Sequence, residues 1–140
     1  MDSEQDVRFR MKLAEGFLRE ADEDLELSRW RSCVDNAQLS VENSVKAVIA
    51  RFAPVPRTHD LAGPLKELHA SADFGSDMKD LIWELRTCAE QLGYEEHVRS
   101  DYGEEGSFVT PWELFDQADA QKAVEIARRA LSLAKRVVQS

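Results

Sequence analysis

Three groups of polar residues in this sequence have the types and the spacing to do chemistry. The first is Asp35, Gln38, Glu42 and Lys46, on a predicted helix. Its last three members are four residues apart, so they share one helix face and could hold a polar ligand together. The alternative is a solvent-exposed face on which Glu42 and Lys46 form an ion pair worth about 0.2–0.5 kcal/mol.

The second group, Arg57–Asp60, precedes a short predicted helix. Arg57 and His59 at a helix start could meet a phosphate, because free backbone amides and the helix dipole point to the same place. The alternative is that Thr58 or Asp60 caps the helix and His59 packs on the loop.

The third group is His97, Arg99, Asp101 and Tyr102, in a segment predicted to be a loop or a frayed helix end. Histidine can move a proton near neutral pH, and arginine can stabilise the charge that develops on a phosphodiester. The alternative is an ordinary polar loop.

The net charge of the chain restricts which partners these three groups of polar residues can bind. The 140 residues contain 18 Lys and Arg against 27 Asp and Glu, a formal charge of −9. A protein that coats nucleic acid needs a basic surface, so this class is disfavoured. The balance still allows one local anion site or a basic protein partner.

Several standard sites are absent from the sequence. It has no GxxxxGK[ST] loop, no GxGxxG, no HExxH and no recurring Glu-x-x-His pair, and its three histidines are scattered. Cys33 and Cys88 form neither a CxxC nor another metal pattern. The sequence therefore predicts neither a metal nor a cofactor.

Length and hydropathy predict one domain over residues 1–140. No apolar run approaches the roughly 20 residues that a bilayer requires. The acidic N-terminus has no apolar stretch typical of a signal peptide. We therefore expect a cytoplasmic protein without a membrane segment.

Glycine and proline divide the chain into segments with helical periodicity, and none alternates like a strand. The predicted fold is an all-α, up-and-down antiparallel bundle of four long helices plus one or two short ones. The predicted helices run from about Asp6 to Ser28, Trp30 to Phe52, Asp60 to Ser71, Ser76 to Leu92 and Asp116 to Val138.

Local signals refine these boundaries. Ser76 is a predicted N-cap, Thr110–Glu113 has the pattern of a capping box, and Asp116 fits the start of the last helix. The segment Gly93–Ser107 is predicted to be a long loop. The second helix also carries a line of small residues that should face another helix, in this chain or in a second copy: Cys33, Ala37, Ser40, Ser44 and Ala47.

Most of the chain from Trp30 onward resembles small prokaryotic HEPN-domain proteins. Their helix reads roughly "AQxxxExxxKA" and is followed by "THDL". The matching residues here are Ala37, Gln38, Val41, Glu42, Val45, Lys46, Ala47 and Arg57–Leu61. Downstream, the family's "SRYP … P-W-E" and "DA..A" are similar to Leu92, Tyr94, Val98–Tyr102, Pro111–Glu113, Asp119, Ala120 and Ala123.

The resemblance implies a helical bundle that forms homodimers. It also implies nucleotide binding, RNA cleavage, or pairing with a minimal nucleotidyltransferase in a toxin–antitoxin module. The ribonuclease branch of the family carries an arginine followed, after four to six residues, by a histidine. No arginine and histidine of this chain have that spacing, so enzyme activity stays an open question. Asp101 stands where the family often has an arginine, and Arg99 lies two positions earlier.

Three hypotheses follow. The first is a HEPN-like protein that binds a nucleotide or pairs with a nucleotidyltransferase. The second is a metal-independent RNase toxin that uses His97, Arg99 and Tyr102 in a non-standard order. The third is a structural partner subunit with an acidic face. The ligand-binding residues of the first hypothesis are Glu42, Lys46, Arg57, His59, Arg99 and Tyr102.

Overall fold

The computed structural model describes residues 3–71 and 73–140, and its architecture is a bundle of α-helices. Within these ranges it contains no β-strand, only an isolated bridge between Glu104 and Val109. The helices are α1 (Ser3–Glu26), α2 (Trp30–Phe52), α3 (Ala62–Ser71), α4 (Ser76–Gln91), α5 (Tyr94–Tyr102), α6 (Pro111–Leu114) and α7 (Gln117–Val138), with a 3₁₀ turn at Glu105–Ser107. The all-α prediction is confirmed. None of these helices is long and apolar enough to span a membrane.

Helix α2 is the centre of the bundle, because it contacts each of the other helices. Its small-residue line is fully buried, which lets neighbouring backbones come close. The Ser40 hydroxyl donates to the Ala14 carbonyl of α1 at 2.7 Å, and the Cys33 sulfur lies 3.7 Å from the Ala120 carbonyl oxygen of α7. The prediction that this line faces other helices is confirmed.

Helix α5 is the main departure from the predicted fold, because the sequence predicts a loop over Gly93–Ser107. Gly93 precedes the helix and Gly103 ends it with a φ of 68°. A side chain at Gly103 would meet the Val109 carbonyl oxygen at 2.1 Å, so the tight turn after α5 requires glycine. The helix is short and mostly polar, so its packing on α2, rather than an apolar stripe, accounts for it.

Helix α1 begins at Ser3 rather than near Asp6, and the predicted N-cap of α4 and start of α3 are wrong by one or two residues. Gly75, not Ser76, is the N-cap of α4, and no side chain caps that helix. Helix α3 begins at Ala62 rather than near Asp60. Pro64 lies in its first turn, as predicted, where a missing amide donor costs little.

Both predicted caps near the C-terminal helices are confirmed. Thr110 and Glu113 form a capping box at the start of α6, and Asp116 and Asp119 form another at the start of α7. In each box two side chains bond two backbone amides that the helix itself leaves free. The backbone amide of Asp119 is the main cause that lowers the pKa of Asp116 from its usual 3.8.

We expect Asp116→Ala to destabilise the fold at neutral pH and to matter less in acid. The pKa of Asp116 is lowered by folding, so its contribution is present above the unfolded-state value and is lost as pH falls through the folded-state value. Urea unfolding at pH 7 and below pH 3.8 measures this. Glu125→Ala, on the exposed surface of α7, is the control. A pH-independent deficit would contradict the prediction.

Candidate functional site

One face of α2 carries charged side chains that point toward α5 and toward the segment after Phe52. Arg31 and Asp35 lie one turn apart on this face, as do Glu42 and Lys46 further along. Because α2 is enclosed by other helices, these groups are only partly open to water and need partners. We call Arg31, Asp35, Glu42 and Lys46 the polar face of α2.

His97 of α5 lies between two carboxylates from different helices. Its Nδ1 contacts Oδ1 of Asp35, and its Nε2 is 3.6 Å from Oδ2 of Asp101. The imidazole is 26% exposed and the Asp35 side chain 20%. Burial raises the pKa of Asp35, and the Asp101 carboxylate raises it further, while His97 opposes the rise. The Asp35 contact thus orients the imidazole and leaves Nε2 as the less engaged nitrogen.

Arg31 joins this centre to α6. Its guanidinium donates to the Ser100 carbonyl at 2.9 Å and lies 3.5 Å from Oδ1 of Asp101. The same guanidinium is 5.6 Å from the centre of the Trp112 ring. Arg31 therefore orients the Asp101 carboxylate from the side opposite His97.

A second cluster lies about two to three turns further along α2. Oε1 of Glu42 is 3.2 Å from Nδ1 of His59, and Oε2 is 3.4 Å from Nζ of Lys46. The His59 ring stacks on Tyr94 with 4.2 Å between centroids, and Tyr94 is 5.8 Å from the His97 ring. Tyr94 thus connects the Glu42 cluster to the His97 centre.

The structure brings together three of the six ligand-binding residues predicted from the sequence: Glu42, Lys46 and His59. Arg99 lies elsewhere, 3.1 Å from Glu96 and 3.0 Å from Glu104. On a helix, Arg99 is rotated by roughly 200° from His97, so the two side chains leave opposite sides of α5.

The other two predicted residues are exposed. Tyr102 is 67% exposed at the end of α5, and no contact joins it to Glu42 or His59 within the described ranges. Arg57 is exposed and makes no ion pair with any described residue. The Asp60 amide donates to the Thr58 hydroxyl at 3.1 Å, so this segment forms its own turn ahead of α3.

Sequence reasoning misses three members of this site and misplaces a fourth. It does not propose Arg31, Tyr94 and Trp112 as site residues, and it groups Asp35 with Glu42 rather than with His97. The signal is the i, i+3, i+7 spacing of Tyr94, His97 and Asp101, which becomes visible only once α5 is known to be a helix.

The site offers an oriented imidazole, two carboxylates beside it and, among the described residues, no unpaired cation. Lys46 and Arg31 each contact a carboxylate, so neither is free to take a phosphate without exchanging partners. Asp35, His97 and Asp101 are also the residues within the described ranges that could hold a metal ion.

We expect Asp35 and His97 to stabilise each other. A double-mutant cycle with Asp35→Ala and His97→Ala should give a coupling free energy of about 1–2 kcal/mol, typical of contacting, partly buried groups. Urea unfolding measures it. The control cycle pairs Asp35 with His69 of α3, which packs on Trp83, and should give no coupling. Equal coupling free energies in the two cycles would show that the contact between Asp35 and His97 does not stabilise the fold.

Comparisons with known proteins agree with the fold. A family model described as HEPN domain matches residues 7–137. A protein of Methanocaldococcus jannaschii named "Putative toxin MJ1304" is 28% identical over 141 residues, covering 94% of this chain and 91% of that protein. The crystal structure of TT1696 from Thermus thermophilus shares the fold, with a TM-score of 0.67 at 19% identity over 94% of this chain and 97% of that one. This chain belongs to the HEPN domain family.

Proposed function

We propose that this protein is the toxin-type component of a toxin–antitoxin module and that it binds a basic protein partner. The name of the archaeal relative supports the toxin-type assignment. The HEPN family makes a minimal nucleotidyltransferase the partner class. The observation that carries the partner proposal is the surface formed by residues 94–119, which we call the α5–α6 surface.

The α5–α6 surface concentrates the negative charge of the chain. Residues 94–119 contain eight Asp and Glu against one Arg, a formal charge of −7 out of −9 for the whole chain. Glu95 and Glu105 are exposed and make no ion pair with any described residue. The negative electrostatic field of this surface speeds association with a positively charged protein and disfavours association with an acidic one.

Three exposed aromatic rings belong to the same segment. Tyr102 is 67% exposed, Phe108 90% and Trp112 74%. Phe108 has a φ of 59°, in the left-handed region that a phenylalanine rarely adopts. Exposed aromatic rings are the residues that dominate binding energy when a partner covers them. The Arg31 guanidinium near Trp112 shows that this ring accepts a cation, and a partner's lysine or arginine would use the same attraction.

The proposal includes a cytoplasmic homodimer, which the family resemblance implies. Both cysteines are free and buried, which fits a reducing compartment. Light scattering of the purified chain tests the dimer.

Replacing Phe108 and Trp112 should abolish capture of the partner. Phe108→Asn removes the ring yet tolerates the left-handed backbone, and Trp112→Ala removes the second anchor. Tagged protein is expressed in its native host, and co-purifying proteins are identified by mass spectrometry. We expect wild type to retain a nucleotidyltransferase, less of it at high salt, and the double variant to lose at least about tenfold.

The matched control is Leu27→Asn, an exposed apolar residue at the turn before α2. It should capture the partner as wild type does. A nucleotidyltransferase held equally by all three proteins would contradict the assigned surface, and none with wild type would contradict the partner class.

A second candidate function is RNA cleavage, or binding of a nucleotide, at the His97 centre. It is favoured by the Asp35–His97 contact, which fixes the imidazole so that Nε2 can exchange a proton with a ribose hydroxyl. Arg31, which lies 3.5 Å from Asp101, takes the place of Arg99 as the cation of this centre. The acidic surroundings repel RNA, which ranks this function second.

If the His97 centre cleaves RNA, cleavage should depend on Asp35 and not on Arg99. Purified protein is incubated with single-stranded RNA in EDTA, and products are separated by electrophoresis. We expect His97→Gln and Asp35→Asn to slow cleavage by about 100-fold or more, the usual contribution of an acid–base group. Arg99→Ala serves as the control and should keep the wild-type rate. Absence of cleavage with wild type would remove this candidate without touching the partner proposal.

A further inference from the structure

We infer that Asp35, His97 and Asp101 form a binding site for one Zn²⁺ ion. This goes beyond the proposed function, which needs no metal. Sequence patterns give no sign of it, since Asp35 and His97 are 62 positions apart and lie on different helices.

The ligand atoms are already close to a metal-binding arrangement. One atom from each side chain can be chosen so that all three lie within 4.8 Å of one another. Zinc bound to nitrogen and oxygen at 2.0–2.2 Å holds neighbouring ligands about 3.4 Å apart in a tetrahedron. His97 and Asp101 share one face of α5, so a rotation of the three side chains would close the remaining gap of at most roughly 1.4 Å.

The surroundings orient these ligands. Arg31 lies against Oδ1 of Asp101 and leaves Oδ2 facing His97. The same arginine is fixed by its bond to the Ser100 carbonyl. A group that holds the outer oxygen of a carboxylate ligand is the usual support around a metal site, and loss of such a partner typically weakens metal binding about 10- to 100-fold. The Asp35 and His97 side chains are partly buried, at 20% and 26% exposure, whereas Asp101 lies at the surface end of the cluster.

The donor set selects the ion. One imidazole and two carboxylates suit a borderline ion such as Zn²⁺, while Mg²⁺ prefers oxygen ligands alone. Three protein ligands leave the fourth zinc position for water or another small ligand. The thiols do not compete, because burial raises the pKa of Cys33 to about 12 and also raises that of Cys88, so both stay protonated.

A bound ion would join α2 to α5 through both sides of the His97 centre. Because the unfolded chain has no such arrangement, Zn²⁺ should stabilise the folded state and raise its melting temperature. Metal binding would also draw the Asp35 carboxylate away from the imidazole that it orients, so metal binding and RNA cleavage at the His97 centre exclude each other.

Titration calorimetry of tag-free, EDTA-treated protein with ZnCl₂ tests the site. We expect one Zn²⁺ per chain and a higher melting temperature in its presence. His97→Gln and Asp35→Asn should each weaken binding at least about tenfold and remove the temperature shift. MgCl₂ should give no saturable heat. No partner or RNA is present, so the result is independent of the proposed function.

Two variants outside the site serve as controls. His69→Gln removes a histidine on α3, and Glu125→Gln removes an exposed carboxylate on α7. The affinity of each variant for Zn²⁺ should lie within about twofold of the wild-type affinity, a change in binding free energy well under 1.4 kcal/mol. Circular dichroism verifies that each variant is folded, and Asp101→Asn replaces any that is not. Absence of saturable Zn²⁺ binding would overturn the site, as would binding that survives His97→Gln or that depends on His69.

Discussion

The structure depends on how the charged side chains of α2 find partners. Fourteen of the 23 residues of this helix are buried, yet it also carries Arg31, Asp35, Glu42 and Lys46. A buried polar group without a partner costs about 1–3 kcal/mol, and a charged one costs more. Neighbouring elements must therefore bring partners to α2. Asp35 and Arg31 hold α5, and Glu42 holds the His59 turn, so one set of interactions fixes both the fold on this side and the site.

The sequence alone predicts a helix or a cap correctly where the residues that determine it lie close together in the chain. The long helices follow from apolar spacing, and the boxes at Thr110 and Asp116 close within four residues. Helix α5 cannot be predicted in this way, because nine mostly polar residues form a stable helix only with outside support. That support comes from α2, about 60 positions earlier in the chain. Gly75 shows the same limit on a small scale, since an extended glycine takes the place of the expected serine cap.

About half of the site can be predicted from the sequence, again because only contacts between residues close in the chain can be inferred without a structure. Glu42 and Lys46 are one turn apart, and His59 follows soon after, so their proximity can be inferred without a structure. Whether the side chains of His97 and Arg99 converge depends on whether their segment is helical. In a loop the two residues could converge on one ligand, whereas on α5 they separate, with His97 facing Asp35 and Arg99 facing Glu96 and Glu104. A wrong element assignment thus becomes a wrong set of site residues.

The position of the net charge of −9 in the structure changes how that charge is interpreted. Most of it lies on the α5–α6 surface, and the ring that anchors this surface is also in contact with the site: Trp112 lies against Arg31, Arg31 holds Asp101, and Asp101 faces His97. A basic partner seated on Trp112 would compete with Arg31 for both the ring and the carboxylate. Releasing Arg31 would free Oδ1 of Asp101 and change the field at the imidazole. In the proposed complex, partner binding and the chemistry of His97 would therefore be coupled through one arginine, because each needs Arg31 in a particular place.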